Sequence, residues 1–450
     1  MLMNNSNHKQ IKKHFIKYVI PSVMGMLVQA LYVILDGIIV GQGIGEIALA
    51  AINIAFPYSM IVVALSMLIA VGGANIYSFH KGKGEFKTAN NIFCQCILLS
   101  AVIGIILALL GFIFRESLSV LLGANDVLLP NAVSYLKWSA PFSVLQMVTF
   151  GLSVFIRNDD DPKTVMFGSV TGAVINAILD VIFILILNFG IEFAAITNGI
   201  GVSIELAFYC SHFIRKKGML RIHKPVLHFY ELKRILHNGM ASALMEFSVP
   251  AVTFSFNLAV VHTAGTMGVS AYAIVSYVCA IINMVLVGVV QGAQPIMSLY
   301  HGKGEKNNFS YIYNLGVRAN ILASILLVGL TILFSEGVVA LFHNGNIELT
   351  SLTVQMLRLY PLAFIFIGVT LMNILFFQTT ERNSYAFFIS LLRCIGFVQV
   401  FIMITIMAFG GKGLYLAFMA GEAFHCVISQ LLIKRTIGSG NNKDREACLL

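Results

Sequence analysis

The chain has 450 residues, 58% of them hydrophobic and 11% charged, with a mean hydropathy of +0.87. A soluble domain carries roughly a quarter charged residues, so the composition excludes a soluble protein and indicates an integral membrane one. The net charge of +9 raises the question of a nucleic-acid partner, which the positions of the charges decide.

A bilayer core of about 30 Å requires about 20 apolar residues per helix. In chain order that rule predicts twelve spans, at 15–40, 48–79, 92–114, 131–156, 164–187, 194–214, 237–262, 267–300, 314–335, 352–378, 385–408 and 413–434. The runs lack the period-two alternation of a membrane barrel, so the predicted fold class is all-α. The polar start MLMNNSNHKQIKKHF leads into an apolar run without a small-residue cleavage site, read as an uncleaved first span.

With the N-terminus inside, 24 of the 29 Lys and Arg fall in the terminal segments and loops of one side. The opposite loops hold only Arg115 and Lys412, and Lys137, Arg358 and Arg393 lie within spans. This is the positive-inside pattern. It predicts a multi-pass protein of the cell's inner or plasma membrane with both termini cytoplasmic, in contact with membrane lipids and not with nucleic acid. The seven Cys, all but Cys448 in apolar spans, form no C-x-x-C spacing, so neither a disulfide framework nor a thiolate metal site is expected.

Shifted by 220 residues, the sequence matches itself. HKGKGE at 80–85 falls on the GKGE of 302–305, Gly45 on Gly265, Phe114 on Phe334, Pro141 on Pro361, and Gly190 on Gly410. Each half then holds six spans, and an even number returns the chain to its starting side, so the halves share one orientation. Parallel repeats pack about an axis along the membrane normal. The expected division is an N-terminal lobe at 1–214, a basic cytoplasmic connector at 215–234, a C-terminal lobe at 235–435 and a tail at 436–450.

Five acids lie inside spans: Asp36, Asp180, Glu205, Glu246 and Glu422. Such residues usually face the bundle interior and carry function. Asn176 and Asp180, four apart, share a helix face. A carboxylate and an amide oxygen there can coordinate a hard cation such as Na⁺, or hold a proton where burial disfavours the charged form. Thr197 and Asn198 can supply further oxygens. Glu246 precedes Pro250 by one turn and, with Met245 and Gln29, is a candidate for lining a substrate cavity. GQGIG at 41–45 is read as a tight turn and DDD at 159–161 as a solvated loop. No Walker A sequence is present, so the energy source must be an ion gradient.

LYVILDGIIVGQGIGEIALAAINIAFPYS, GGANIYSFHKGKGE, LLGAND with YLKW, IRNDDDPK with NAILDVIFI, QPIMSLYHGKGE and SLLRC together resemble the multidrug and toxic compound extrusion (MATE) family, in particular its bacterial branch. The likeness covers residues 15–435. It implies a two-lobed, V-shaped transporter of twelve helices, not an enzyme, that exports cationic or amphipathic small molecules in exchange for H⁺ or Na⁺. It places the cation site, with Na⁺ as a bound metal if Na⁺ is the coupling ion, on Asp36, Asn176 and Asp180. A sixth-helix Thr of the family aligns here with Asn198, next to Thr197. No cofactor is expected beyond the coupling ion, and a monomer is expected. The alternative is a flippase for a lipid-linked precursor of the same superfamily, which would line its cavity with basic groups.

Overall fold

The computed structural model describes residues 2–342, 347–409 and 414–439. Lys412 and nearly all of the expected tail lie outside them. The described residues contain no strand, and twelve helices are long and apolar enough to cross a membrane. These are α1 (His8–Gly43), α2 (Ile47–Lys83), α3 (Phe86–Ile113), α4 (Leu129–Asn158), α5 (Pro162–Ile186) and α6 (Ile191–Ile214). The second half supplies α7 (Phe229–Gly265), α8 (Met267–Gly302), α9 (Lys306–Leu333), α10 (Ile347–Thr379), α11 (Asn383–Ala408) and α12 (Leu416–Thr436).

The breaks between helices recur at the 220-residue shift. Gly45 and Gly265 take φ of 108° and 62°, and Gly84 and Gly304 take 81° and 72°. These are left-handed conformations that a residue without Cβ adopts at no steric cost. Pro141 and Pro361 each sit in a short 3₁₀ segment, Ala140–Phe142 and Tyr360–Ala363. A proline removes a backbone donor and clashes with the preceding turn, so α4 and α10 are both interrupted at the same place. Phe114 and Phe334 close α3 and α9.

By packing, the chain divides into one unit of Met24–Ala243 and another of Met1–Val23 with Leu244–Leu450. The connector and the start of α7 therefore belong to the first unit, and the start of α1 belongs to the second. Glycines explain both placements. In the first unit, a Cβ on Gly239 would lie 1.8 Å from Leu68 O, and one on Gly72 2.2 Å from Ile235 O. In the second, a Cβ on Gly292 would lie 2.6 Å from Val19 Cα, and one on Gly288 2.8 Å from Val23 Cα. Close backbone approach at small residues is how helices associate in lipid, which is itself as apolar as leucine. The two crossings are copies: Gly72 and Gly239 match Gly292 and Val19 at the same shift.

The connector is extended and fixed by side chains. Asn90 Nδ2 donates to Arg221 O at 2.7 Å and its Oδ1 accepts from Arg221 N at 2.7 Å. Asn91 makes the same two-way bond with Val226, at 3.0 and 2.9 Å.

Since the atoms facing Gly239 are backbone and cannot swing away, Gly239→Val is expected to destabilise the protein by about 3 kcal/mol or more. Gly84→Ala meets nothing within 4 Å and should cost about 1 kcal/mol, from φ alone. Thermal unfolding of the detergent-solubilised variants measures both.

Candidate functional site

The site grows out of how α5 and α6 pack. Gly168, Gly172, Asn176 and Asp180 follow one another at four-residue spacing along α5, as do Thr197, Gly201, Glu205 and Tyr209 along α6. Residues four apart share a face, and the two rows run antiparallel against each other. A Cβ on Gly201 would sit 2.9 Å from Asn176 Cβ, one on Gly172 2.9 Å from Gly201 O, and one on Gly168 2.5 Å from the Tyr209 ring. This approach seats Thr197 directly on Asp180, where its hydroxyl donates to Asp180 Oδ1. Beyond Asp180 the helix widens into a π-helical turn, Val181–Ile186, a distortion that recurs at functional positions. A Cβ added to Gly43, at the end of α1, would run into Ile184 in that turn.

Asn176, Asp180 and Thr197 are 2%, 0% and 0% exposed. Neither polar atom of Asn176 has a hydrogen-bond partner among the described residues, and neither does Asp180 Oδ2. Asp36, half-buried on α1, is the direct carboxyl neighbour of Asp180. The phenols of Tyr32 and Tyr135 lie in the field of both. Two carboxyl groups this close in a low-dielectric site cannot both carry charge without a cation or a proton between them. Two carboxylates, one amide oxygen and one hydroxyl form an all-oxygen set, suited to a hard cation and equally to a proton. No group of three or more His, Cys, Asp or Glu among the described residues could hold a metal ion.

The other expected residues stand apart. Asn198, on the next position of α6, faces outward and donates to Tyr32 OH at 2.8 Å, so it touches the site through Tyr32 while Thr197 contacts Asp180. Gln29 is exposed on α1. Met245 and Glu246 are half-buried on α7 in the other unit, and Glu246 has no hydrogen bond or ion pair with a described residue. Glu205 is served by the Ser169 hydroxyl at 2.7 Å and by Tyr209 OH. Tyr32 and Tyr135 carry no charge and stand at no telling spacing in the sequence. The repeated glycines of α5 and α6 were the signal that separates Thr197 from Asn198.

The DDD segment is not the solvated loop expected. Asp159 is 1% exposed and Asp161 9%, and only Asp160 faces out. Asp159 Oδ2 accepts from Leu220 N at 2.9 Å and Met219 N at 2.7 Å, and Asp159 Oδ1 from Tyr77 OH at 3.0 Å. His212 bridges the pair, Nε2 to Asp159 Oδ2 and Nδ1 to Asp161 Oδ2, each at 3.1 Å. Three acids in a row read as a hydrated turn, whereas here Asp159 accepts the N–H groups left bare where the connector leaves α6 and Asp161 accepts from the Thr164 hydroxyl. Burial pushes both carboxyls up. For Asp159 the bonds from His212, Leu220 N and Met219 N, with Lys81 beside it, more than reverse this. For Asp161 the bonds from His212 and Thr164, with Lys217 beside it, do the same. Both end below the ordinary carboxylate range.

A carboxyl held below its unfolded value near 3.9 adds stability that is full above that value and is lost as pH falls through the folded range. Protease protection of the connector should therefore weaken as pH drops below about 4. Asp159→Asn should weaken it at neutral pH by roughly 3–5 kcal/mol. At the other site, Thr197→Val leaves Asp180 without its donor and should lower the melting temperature by an amount equivalent to about 1–3 kcal/mol.

A model of the MatE family matches residues 21–182 and 241–409. The multidrug export protein MepA of Staphylococcus saprophyticus subsp. saprophyticus is 22% identical over 430 residues, covering 94% of this chain and 93% of that one. MepA of Staphylococcus aureus is 21% identical over 444 residues, with the same coverage. Among solved structures, the outward-facing conformation of a multidrug resistance MATE family transporter of the MOP superfamily superposes with a TM-score of 0.90 at 21% identity, over 95% of this chain and 96% of that one. A MOP superfamily transporter from Pyrococcus furiosus, described as having a binding pocket of reversed polarity, gives 0.89 at 21% identity over the same shares. With the family model spread over both halves of twelve membrane helices, the chain belongs to the MatE family.

Proposed function

We propose that this chain is a cation-coupled antiporter that exports cationic or amphipathic small molecules, with both termini in the cytoplasm. Inward movement of Na⁺ or H⁺ through the Asp36, Asn176, Asp180 and Thr197 site drives export. One observation carries the reading: Asp36 and Asp180 are neighbours in a buried site where the side chain of Asn176 and one oxygen of Asp180 lack partners. The Staphylococcus relatives are multidrug export proteins, which supports the substrate class. In the substrate-loaded form the site gives up its cation to the cytoplasm, and reloading from outside favours the form that has released substrate. Coupling of this kind requires only that ion and substrate differ in affinity for the two conformations.

Helix α1 is the natural transmitter. Its first turns pack through Val19 and Val23 on Gly292 and Gly288 of the second unit, while Asp36 lies in the first. A cation that draws Asp36 toward Asp180 therefore pulls on a rod held at both ends. A flippase for a lipid-linked precursor needs free basic groups within the spans. Of the three predicted there, Arg393 is buried against Glu422 at 3.0 Å and Arg358 pairs with Glu336 at 3.4 Å, which leaves Lys137, set beside the Trp138 ring, as a single basic group without an acid partner among the described residues.

Proteoliposomes loaded with ethidium and given separate pH and Na⁺ gradients test the proposal. Asp36→Asn is expected to cut gradient-driven export by about tenfold or more, the size of a typical coupling free energy. Undiminished export in that variant refutes it.

A further inference from the structure

The second unit buries a cluster of three ionisable side chains that the reading above does not use. Arg393 on α11 is 6% exposed, and Glu422 and His425 on α12 are 0% and 1%. Arg393 Nε donates to Glu422 Oε1 at 3.0 Å, and Arg393 Nη1 points at Met245 Sδ of α7, 4.0 Å away. Glu422 Oε2 and His425 Nδ1 face each other at 3.6 Å. Neither of these two atoms has a hydrogen-bond partner among the described residues.

The hydrogen of His425 can be placed by elimination. Its Nε2 lies 2.9 Å from Ile389 O, and a carbonyl only accepts, so Nε2 carries hydrogen. A neutral His425 then presents a bare lone pair on Nδ1, and an ionised Glu422 presents only lone pairs on Oε2. Two acceptors aimed at one another away from water are unfavourable. One proton, on Nδ1 or on Oε2, turns the contact into a hydrogen bond that satisfies both atoms. The cluster is neutral without that proton and carries one positive charge with it. Each form has its own cost, which is the condition for a proton to be exchanged instead of permanently held.

The equivalent place in the first half is built differently. At the 220-residue shift, Glu205 stands at His425, Ser169 at Ile389 and Tyr209 at Ser429. Glu205 Oε1 takes hydroxyl donors from both Ser169 and Tyr209, so that carboxyl is served whatever the pH. In the second half Ile389 carries no hydroxyl, the Ser429 hydroxyl is turned to Cys426 O at 2.8 Å, and a histidine occupies the carboxyl position. From neighbouring elements, Tyr360 of α10 lies in the field of Glu422, as does Cys426 of α12. The Phe397 ring of α11 stands 6.2 Å from His425. Tyr360 OH is bonded to Tyr272 OH at 3.0 Å. Glu246, next to Met245 on α7, makes no hydrogen bond or ion pair with the cluster.

We propose that Arg393, Glu422 and His425 form a proton-binding site in the second unit, which takes one proton from water between Glu422 Oε2 and His425 Nδ1. Arg393 is the positioning residue that fixes the Glu422 carboxyl by its other oxygen. The proposal goes beyond the Asp36 site and does not depend on which ion that site takes.

Solid-state NMR of the full chain in lipid bilayers, with isotope-labelled histidine, tests it. The His425 signal is identified by its loss in His425→Gln. As pH is lowered across the histidine range from about 8 to about 5, its Nδ1 signal is expected to change once, from that of a bare nitrogen to that of a hydrogen-bonded one. In Glu422→Gln the amide can accept from Arg393 and donate permanently to Nδ1, so the pH-dependent change should be lost. A constant Nδ1 signal in the wild type, or an unchanged titration in Glu422→Gln, overturns the proposal. Should that variant fail to fold, labelled glutamate in the wild type decides: the Glu422 carboxyl signal must move together with Nδ1, and independent movement of the two overturns it.

Discussion

Two carboxyl groups brought side by side in a membrane interior set the terms for the first unit. Asp36 comes from α1 and Asp180 from α5, and neither helix by itself has reason to keep an acid at that depth. Placed together they disfavour joint ionisation. Asn176 and Thr197 add neutral oxygens and no charge, so the balance stays with the two acids. What permits this arrangement is the absence of side chains nearby. Gly172 and Gly201 let α5 and α6 approach until backbone nearly meets backbone, and the polar groups one turn away are carried into contact.

The two halves use one scaffold for different chemistry. Left-handed glycines, proline breaks and glycine crossings recur at a constant shift, because the same helix lengths and crossings must be made twice. The polar residues of the candidate site do not recur. At the shift, Asp36, Asn176, Asp180 and Thr197 correspond to Phe256, Gly396, Val400 and Ala417. Phe256 joins Tyr272, Tyr360 and Phe418 in an aromatic cluster within the large apolar core of the second unit. The second half instead buries charge between α11 and α12, as Arg393, Glu422 and His425. The repeat supplies the frame, and a few buried positions differ between its two copies.

The segment at 159–161 shows how a charged stretch can be structural. A chain that leaves a helix and runs extended exposes backbone N–H groups, and Asp159 accepts those of Met219 and Leu220. With Asn90 and Asn91 holding the connector further along, the basic stretch between the halves is tied to the first unit. A free tether would transmit no force, whereas a docked one moves with the helices that hold it.

The sequence by itself determined the membrane environment, the twelve helices, the repeat and five oxygen-bearing candidates, Asp36, Asn176, Asp180, Thr197 and Asn198. Each of these depends on composition or on spacing along one chain: hydropathy over about 20 residues, a shift of 220, four-residue intervals on a helix. Only the tertiary structure decided that Thr197 and not Asn198 meets Asp180, that Tyr32 and Tyr135 stand beside the acids, and that DDD is buried. The rotation of α6 about its axis differs by about 100° between adjacent positions, and it is fixed by where Gly201 meets α5. The burial of Asp159 is fixed by donors sixty residues away in Met219 and Leu220. Facts of that kind belong to contacts between helices, which no local pattern encodes.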